Sequence, residues 1–337
     1  MTAGSADRSV YVYDPVDEPI DWLLERGIRV TLGAPLFSTG RSRPKIPAGD
    51  LVAAARGHSA LMGASGTFIT RRVMEQLPDL RYISKLGIGH EVIDLAAATE
   101  HGIMVTNTPA DAEVEPVAEH AIALMLALVK QLHWYSAAYI AAGGWRAADR
   151  MAGTLQGSTV GIVGLGHIGR AVAARLRPWG ARLIGTDIQA SAIPVSVERV
   201  DLPALLRTAD IVTLHVPGRG PGEGPLLDRD RLELLKPGAL LVNTARGNLV
   251  DQAALARLLT EGRIAGAAVD VYSPEPPPPD DSLLAAPNII ATPHMAAWNA
   301  RLRKEMAMMA FHNLWTMLSG GLPRDLVNRD VLGGASR

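Results

Sequence analysis

The chain has 337 residues, 48% of them hydrophobic, and a formal net charge of −1 at neutral pH. Such a length holds roughly two domains of ~150 residues with real cores, and acids and bases are mixed along it, so no basic stripe points to nucleic acid or an anionic membrane. There is no cysteine, which excludes disulfides and thiolate–metal sites.

Residues 1–7 are small and polar, without the apolar centre of a signal peptide. A strand is expected at 9–14 from its β-branched and aromatic content, then a helix at 17–26 and a strand at 28–31. Strand 60–62, helix 71–77, strand 80–84, helix 92–100 and strand 103–106 follow. This alternation predicts a parallel sheet with crossover helices. The stretch 33–49, with Pro35, Pro44, Pro47 and Arg41, Arg43, Lys45, reads as a solvated surface loop.

After Pro116 an apolar helix is expected over 117–129 and on toward 139. Proline suits its first position, where an N–H would be unpaired anyway. Being apolar on most sides, this helix should be buried between domains or between subunits, with Gly143-Gly144-Trp145 ending it. Its most apolar run, 121–129, is far short of the ~20 residues that span a membrane, so a cytoplasmic protein is expected. A second series follows: strands at 159–163, 183–186, 211–214, 240–242, 267–269 and 289–290. These are near-continuous apolar runs, as in strands covered on both faces. Residues 218–225 read as a loop, and a last helix over about 296–318 closes the chain.

Gly164-Leu165-Gly166-His167-Ile168-Gly169 stands between strand 159–163 and an amphipathic helix bearing Ile168, Val172 and Leu176. In that context Gly164 permits the tight turn, Gly166 lets the backbone approach a pyrophosphate, and Gly169 lets helix and strand pack. The helix N-terminus favours the diphosphate. The next strand ends in Asp187, 18 residues beyond Gly169, an acid placed to accept from ribose hydroxyls. Ile188 and Gln189 supply no cation for a 2′-phosphate, so NAD is favoured over NADP.

Arg246, Glu275 and His294 lie in three separate short turns of an otherwise apolar stretch. Reduction of a 2-oxo acid needs these groups: a fixed cation for the substrate carboxylate, and an imidazole whose proton a carboxylate tunes. Guanidinium geometry matches a carboxylate's two oxygens. The histidines show no metal-ligand spacing, so no metal site is expected.

From about Leu80 to Trp298 these ordered motifs resemble the D-isomer-specific 2-hydroxyacid dehydrogenase family. The resemblance implies an α/β fold of two doubly wound parallel-sheet domains. One is a flavodoxin-like substrate domain, discontinuous over 1–107 plus 299–337; the other is a Rossmann NAD-binding domain over 108–298. It implies that Arg246 grips the substrate carboxylate and carbonyl, that His294 is the acid/base, and that Glu275 bonds the other imidazole nitrogen. Asp270 would hold the nicotinamide carboxamide, with Thr244 and Ala245 beside the ring. His215, Val216 and Pro217 would line the adenosine and nicotinamide ribose, and His167 and Ile168 would approach the pyrophosphate. His294 would border cofactor and substrate alike. The backbone N–H groups of Gly87, Ile88 and Gly89 would bind the substrate carboxylate. A homodimer pairing through the 117–139 helix is implied too.

The activity expected from this resemblance is NAD(H)-dependent interconversion of a small 2-oxo acid and its D-2-hydroxy acid, hydride passing to or from nicotinamide C4. The chain departs from the commonest family pattern at His90-Glu91-Val92 and in the loop 109–116, which is one residue longer and unusually acidic. Ile88 occupies the place of the phosphite enzymes' lysine, which argues against phosphite. Trp298 either lines the substrate pocket or packs the last helix. Two alternatives stand beside this reading: a corepressor-like, NAD-sensing binding protein without physiological turnover, and a formate-like dehydrogenase. Glu275 beside His294 speaks against the second, because formate oxidation moves only hydride.

Overall fold

The computed structural model describes residues 8–14, 20–34, 45–64, 66–109, 111–148, 150–189, 191, 193–220 and 222–336. The N-terminal stretch 1–7, the first residues of the helix expected at 17–26 and most of the loop 33–49 lie outside them. The chain forms two compact units, Met1–Ala112 with Asn299–Arg337, and Glu113–Trp298.

In the first unit β1 (Ser9–Val12), β2 (Arg29–Leu32), β3 (Ala60–Gly63), β4 (Tyr82–Lys85) and β5 (Met104–Thr106) form one parallel sheet, ordered β2-β1-β3-β4-β5. Alternate residues of a strand face opposite sides, and β1 serves both cores. Tyr11 and Tyr13 pack with α2 (Ala48–Ala55), α3 (Arg71–Glu75) and α4 (Leu95–Glu100), while Val10 and Val12 pack with α1 (Asp21–Leu24) and the late α11 (Ala300–Leu318). The last helix thus completes a sheet begun almost 300 residues earlier in the chain. It starts at Ala300 rather than near 296, because the Asn299 side chain accepts the Leu302 N–H at 2.9 Å and caps it.

The second unit holds β6 (Thr159–Val163), β7 (Arg182–Thr186), β8 (Glu198–Arg199), β9 (Ile211–Leu214), β10 (Leu240–Asn243), β11 (Gly266–Val269) and β12 (Ile289–Ala291). They form a seven-stranded parallel sheet ordered β12-β11-β10-β9-β6-β7-β8. α5 (Val114–Val129) and α7 (His167–Leu176) cover one face, and α8 (Leu202–Thr208), α9 (Arg229–Leu232) and α10 (Gln252–Thr260) the other. Helices on both faces make the sheet doubly wound. The order reverses at β6, which pairs with β7 on one side and β9 on the other. A reversal of this kind opens a crevice at the carboxyl ends of the strands, where ligands of such sheets bind.

Two expectations need correction. The helix expected to run on toward 139 stops at Val129, because Gln131 takes a left-handed backbone (φ 54°) and turns the chain. α6 (Ala137–Ala141) is a separate short helix capped by Ser136. The apolar faces of α5 are satisfied inside its own unit: Ala118, Ala121, Ile122, Met125 and Leu128 share a core with Val160, Ile162, Val172 and Leu176. Strand β8 was not foreseen, since its two exposed charged residues carry no apolar signal.

Candidate active site

Because every strand of the second sheet is parallel, the segments leaving β6, β7, β9, β10, β11 and β12 all emerge at one edge. Those segments carry Gly164–Gly169, Asp187, His215–Pro217, Thr244–Arg246, Asp270 and His294 respectively. Parallel pairing alone therefore gathers residues that are 130 positions apart.

The glycine turn is shaped by backbone contacts. Gly164 has φ +90°, and a Cβ there would lie 2.4 Å from the His215 carbonyl oxygen. A Cβ on Gly169 would lie 2.0 Å from the Gly164 oxygen, so β6 and α7 meet there backbone to backbone. Gly166, the N-cap of α7, faces open space instead, with no atom within 4 Å of a Cβ placed on it. The turn thus keeps a cradle beside the first N–H groups of a ten-residue helix, suited to an anionic diphosphate. His167 is exposed at this helix start, whereas the Ile168 side chain packs against the core and leaves only its backbone toward the cradle. Asp187 accepts the Leu165 N–H at 2.7 Å and the Gln189 N–H at 2.8 Å, which tie the acid to the turn. Beside the turn, Val216 is partly buried and Pro217 exposed. Burial pushes the His215 imidazole down to about 4, and its Nε2 lies 3.0 Å from the Thr213 hydroxyl. It is uncharged at neutral pH.

At the end of β10 the buried Asn243 builds the turn that presents Arg246. Its Oδ1 accepts the Ala245 N–H at 3.1 Å, and its Nδ2 donates to the Arg246 carbonyl at 2.9 Å. The Arg246 guanidinium donates to the Ala245 carbonyl at 2.7 Å. The Thr244 hydroxyl is buried and has no hydrogen-bond partner among the described residues, while Ala245 packs partly buried on the core. Gly247 explains the final residue of the Thr-Ala-Arg-Gly run: a Cβ there would lie 2.0 Å from the Tyr272 carbonyl carbon. The Arg246 turn and the segment 270–275 are therefore pressed backbone against backbone.

Glu275 and His294 form a pair, Oε2 to Nδ1 at 2.9 Å. The other Glu275 oxygen accepts the Tyr272 N–H, also at 2.9 Å, so the carboxylate is oriented from behind. Nε2 of His294 is left without a partner among the described residues, the arrangement a proton donor to substrate requires. Burial pulls the His294 pKa down, but the Glu275 hydrogen bond and charge outweigh it, and the net shift is upward. Burial likewise opposes ionisation of Glu275, and its bond to His294 more than compensates, holding its pKa low. Arg246 is close enough to perturb both groups.

His294 has φ +51°, a left-handed backbone that a non-glycine residue adopts at a cost. Asp270, wholly buried, pins this turn: it accepts the Thr292 hydroxyl at 2.6 Å and the N–H groups of Met295 and Ala296 at 2.8 and 2.9 Å. On sequence grounds Asp270 has only a nicotinamide role and Asn243 has none. Both act on the turns that carry Arg246 and His294, and a polar side chain at a strand end was the available signal. A further unforeseen member is Glu113, whose buried carboxyl feels both Arg246 and His294.

In the first unit, Gly87 (φ +96°), Ile88 and Gly89 leave β4 as expected. The Gly87 N–H is already donated to the Thr108 hydroxyl at 2.7 Å, so Gly87 is not the free donor expected of it. The N–H groups of Ile88 and Gly89 have no such acceptor among the described residues. Trp298 is half-exposed at the end of the second unit. No cluster of metal-ligating side chains occurs among the described residues.

The His294–Glu275 pair yields a direct expectation. With Glu275→Gln the upward pull on His294 is lost, so its protonated form disappears at lower pH. The alkaline limb of the reduction profile should move to lower pH, read from kcat against pH. An unmoved limb would separate the two residues functionally.

The family described as D-isomer specific 2-hydroxyacid dehydrogenase, NAD binding domain, matches residues 122–296. The chain is 34% identical over 323 residues to a D-3-phosphoglycerate dehydrogenase of Archaeoglobus fulgidus, covering 95% of itself but 59% of that protein. It is 39% identical over 271 residues to a glyoxylate reductase of Korarchaeum cryptofilum, covering 78% of itself and 81% of the relative. Among solved structures, a protein of Thermus thermophilus superposes with a TM-score of 0.84 at 36% identity, over 95% of this chain and 99% of that one. The NAD-dependent formate dehydrogenase of Staphylococcus aureus, in complex with NAD, reaches 0.82 at 26% identity, over 95% and 98%.

Proposed function

The chain belongs to the D-isomer-specific 2-hydroxyacid dehydrogenase family, and on that premise we propose that it interconverts a small 2-oxo acid and its D-2-hydroxy acid, using NAD(H). The observation that supports this most is the Glu275–His294 pair, oriented at both carboxylate oxygens and set close to Arg246.

In this reading the Arg246 guanidinium binds the substrate carboxylate and faces the carbonyl oxygen, where it stabilises charge that develops during reduction. His294 Nε2 donates its proton to that oxygen, and Glu275 keeps the imidazole charged until it does. In the reverse direction the same nitrogen takes the hydroxyl proton. A nicotinamide, when bound, supplies or accepts the hydride at substrate C2. Gly164–Gly169 would hold its diphosphate and Asp187 its adenosine ribose. The unpartnered Thr244 hydroxyl, with Ala245, would border the ring. An acid in place of a cation at Asp187 favours NAD over NADP. The first unit would form the substrate domain.

We also infer a homodimer and a cytoplasmic location. The dimer is supported not by α5 but by the segment after it, where Leu132, Ile140, Trp145 and Met151 are exposed apolar side chains. No helix among the described residues is long and apolar enough to cross a membrane. The reading is tested by following NADH and NADPH oxidation over glyoxylate, hydroxypyruvate, pyruvate, phenylpyruvate and 2-oxoglutarate. Turnover with at least one short 2-oxo acid, faster with NADH, is expected. Dinucleotide binding with no turnover on any of them would favour a sensing role.

A further inference from the structure

The residues that hold and protonate a 2-oxo acid leave one carboxyl beside them unused. Glu113 ends the short turn Asp111–Glu113 that leads into α5, and its side chain does not cap that helix. Oε2 is buried and has no hydrogen-bond partner among the described residues. Among the described residues the charged groups that act on it are Arg246 and His294, whose attraction is outweighed by burial, so its pKa lies above the usual carboxylate range. A buried polar oxygen left unpaired is unfavourable, and such groups in folded proteins almost always have a partner. Here the missing partner is a donor.

The chemistry of that donor is constrained by its neighbours. The carboxylate and the carbonyl of a 2-oxo acid are acceptors only, and Arg246 and His294 are the donors that suit them. A carboxyl adjoining the same pair therefore has nothing to receive from those two groups. It needs an O–H or N–H elsewhere on the molecule, and the nearest atom that can carry one is carbon 3. An ammonium there would stand against the Arg246 and His294 charges, whereas a hydroxyl would not.

Resting on the oxo-acid reading above, we propose that Glu113 contacts substrate, its free oxygen accepting the hydroxyl hydrogen on carbon 3 of a 3-hydroxy-2-oxo acid. Glu113 then sets specificity at this site. A 2-oxo acid whose carbon 3 is a methyl group leaves the carboxyl unpaired, and sites built to bond a substrate hydroxyl reject the analogue lacking it more strongly than a merely apolar pocket can. Esterifying the same hydroxyl with phosphate removes the donor as well.

The test compares kcat/KM for hydroxypyruvate, pyruvate, 3-phosphohydroxypyruvate and glyoxylate, with NADH, in the parent and in Glu113→Leu and Glu113→Gln. The parent should prefer hydroxypyruvate to both pyruvate and the phosphorylated acid by roughly 10- to 100-fold. Glu113→Leu should bring the hydroxypyruvate-to-pyruvate ratio to within about threefold of unity. Glu113→Gln, whose amide oxygen still accepts, should keep most of the preference. NADH fluorescence titration checks that each variant still binds dinucleotide. A parent that does not discriminate, or a leucine variant that discriminates like the parent, overturns the proposal. Should the leucine variant not fold, Glu113→Met, close to glutamate in length but without a carboxyl, takes its place with the same expected loss of discrimination. Glyoxylate, which has no carbon 3, separates the two levels. If it is reduced while discrimination is absent, only the role of Glu113 falls; if no acid is reduced, the oxo-acid reading falls and this proposal with it.

Discussion

Glutamine in place of His294 should lower kcat for oxo-acid reduction about 10²- to 10⁴-fold, the usual contribution of a positioned general acid. NADH affinity, measured by fluorescence titration, should stay within about threefold of the parent, because the dinucleotide cradle is built from other strands. Glutamine can donate a hydrogen bond to the carbonyl but cannot deliver a proton, so the alkaline limb tied to position 294 should vanish from the pH profile as well. Position 294 has a left-handed backbone, and asparagine tolerates that conformation better than most residues. His294→Asn is therefore a useful companion, expected to lose activity to a similar degree with less strain on the fold. A kcat within tenfold of the parent in both variants would remove His294 from the chemistry.

Arg246→Ala should reduce kcat/KM by about 30- to 3000-fold, KM rising as the carboxylate anchor is lost and kcat falling as charge on the carbonyl oxygen loses its support. Truncating one partner of a hydrogen-bonded charge pair typically costs about 2–5 kcal/mol, and each 1.4 kcal/mol is tenfold. Lysine at this position should recover only part of the loss, since a point charge cannot reproduce the two-pronged contact of a guanidinium. A second readout separates this effect from general damage. Arg246 pulls the His294 pKa down, so its removal should let His294 hold its proton to higher pH. The alkaline limb should then move up, opposite to the shift expected for Glu275→Gln. An unchanged KM would place the carboxylate anchor elsewhere.

The parallel sheets were legible because their strands are short apolar runs bounded by glycine, proline and acids. The glycine turn was legible because its spacing answers to backbone contacts, now visible as the close approaches of Gly164 to His215 and of Gly169 to Gly164. Where tertiary contacts decide, the residues were silent. Nothing in the run after Val129 announces that Gln131 will turn left-handed and split the long helix. The edge strand Glu198–Arg199 is held by pairing with β7, and its composition gives no hint of it. The Arg246, Glu275 and His294 turns could be named from chemistry, yet their supports could not. Asn243 and Asp270 show their purpose only once their side chains are seen bonded to the neighbouring turns. Glu113 was lost among other acids of its loop, since its buried, unpartnered oxygen is visible only in the folded chain.

The contact between Gly247 and the Tyr272 backbone bears on how such a protein can diversify. Two chain segments that touch without any intervening side chain behave as one stiff block, and insertions or bulkier residues on either would pry the guanidinium away from the carboxylate–imidazole couple. On the function proposed above, variation in what the enzyme accepts would then come from the surrounding segments, among them the turn bearing Glu113, while Arg246, Glu275 and His294 keep their mutual spacing. Laboratory efforts to redirect selectivity would do best to begin there.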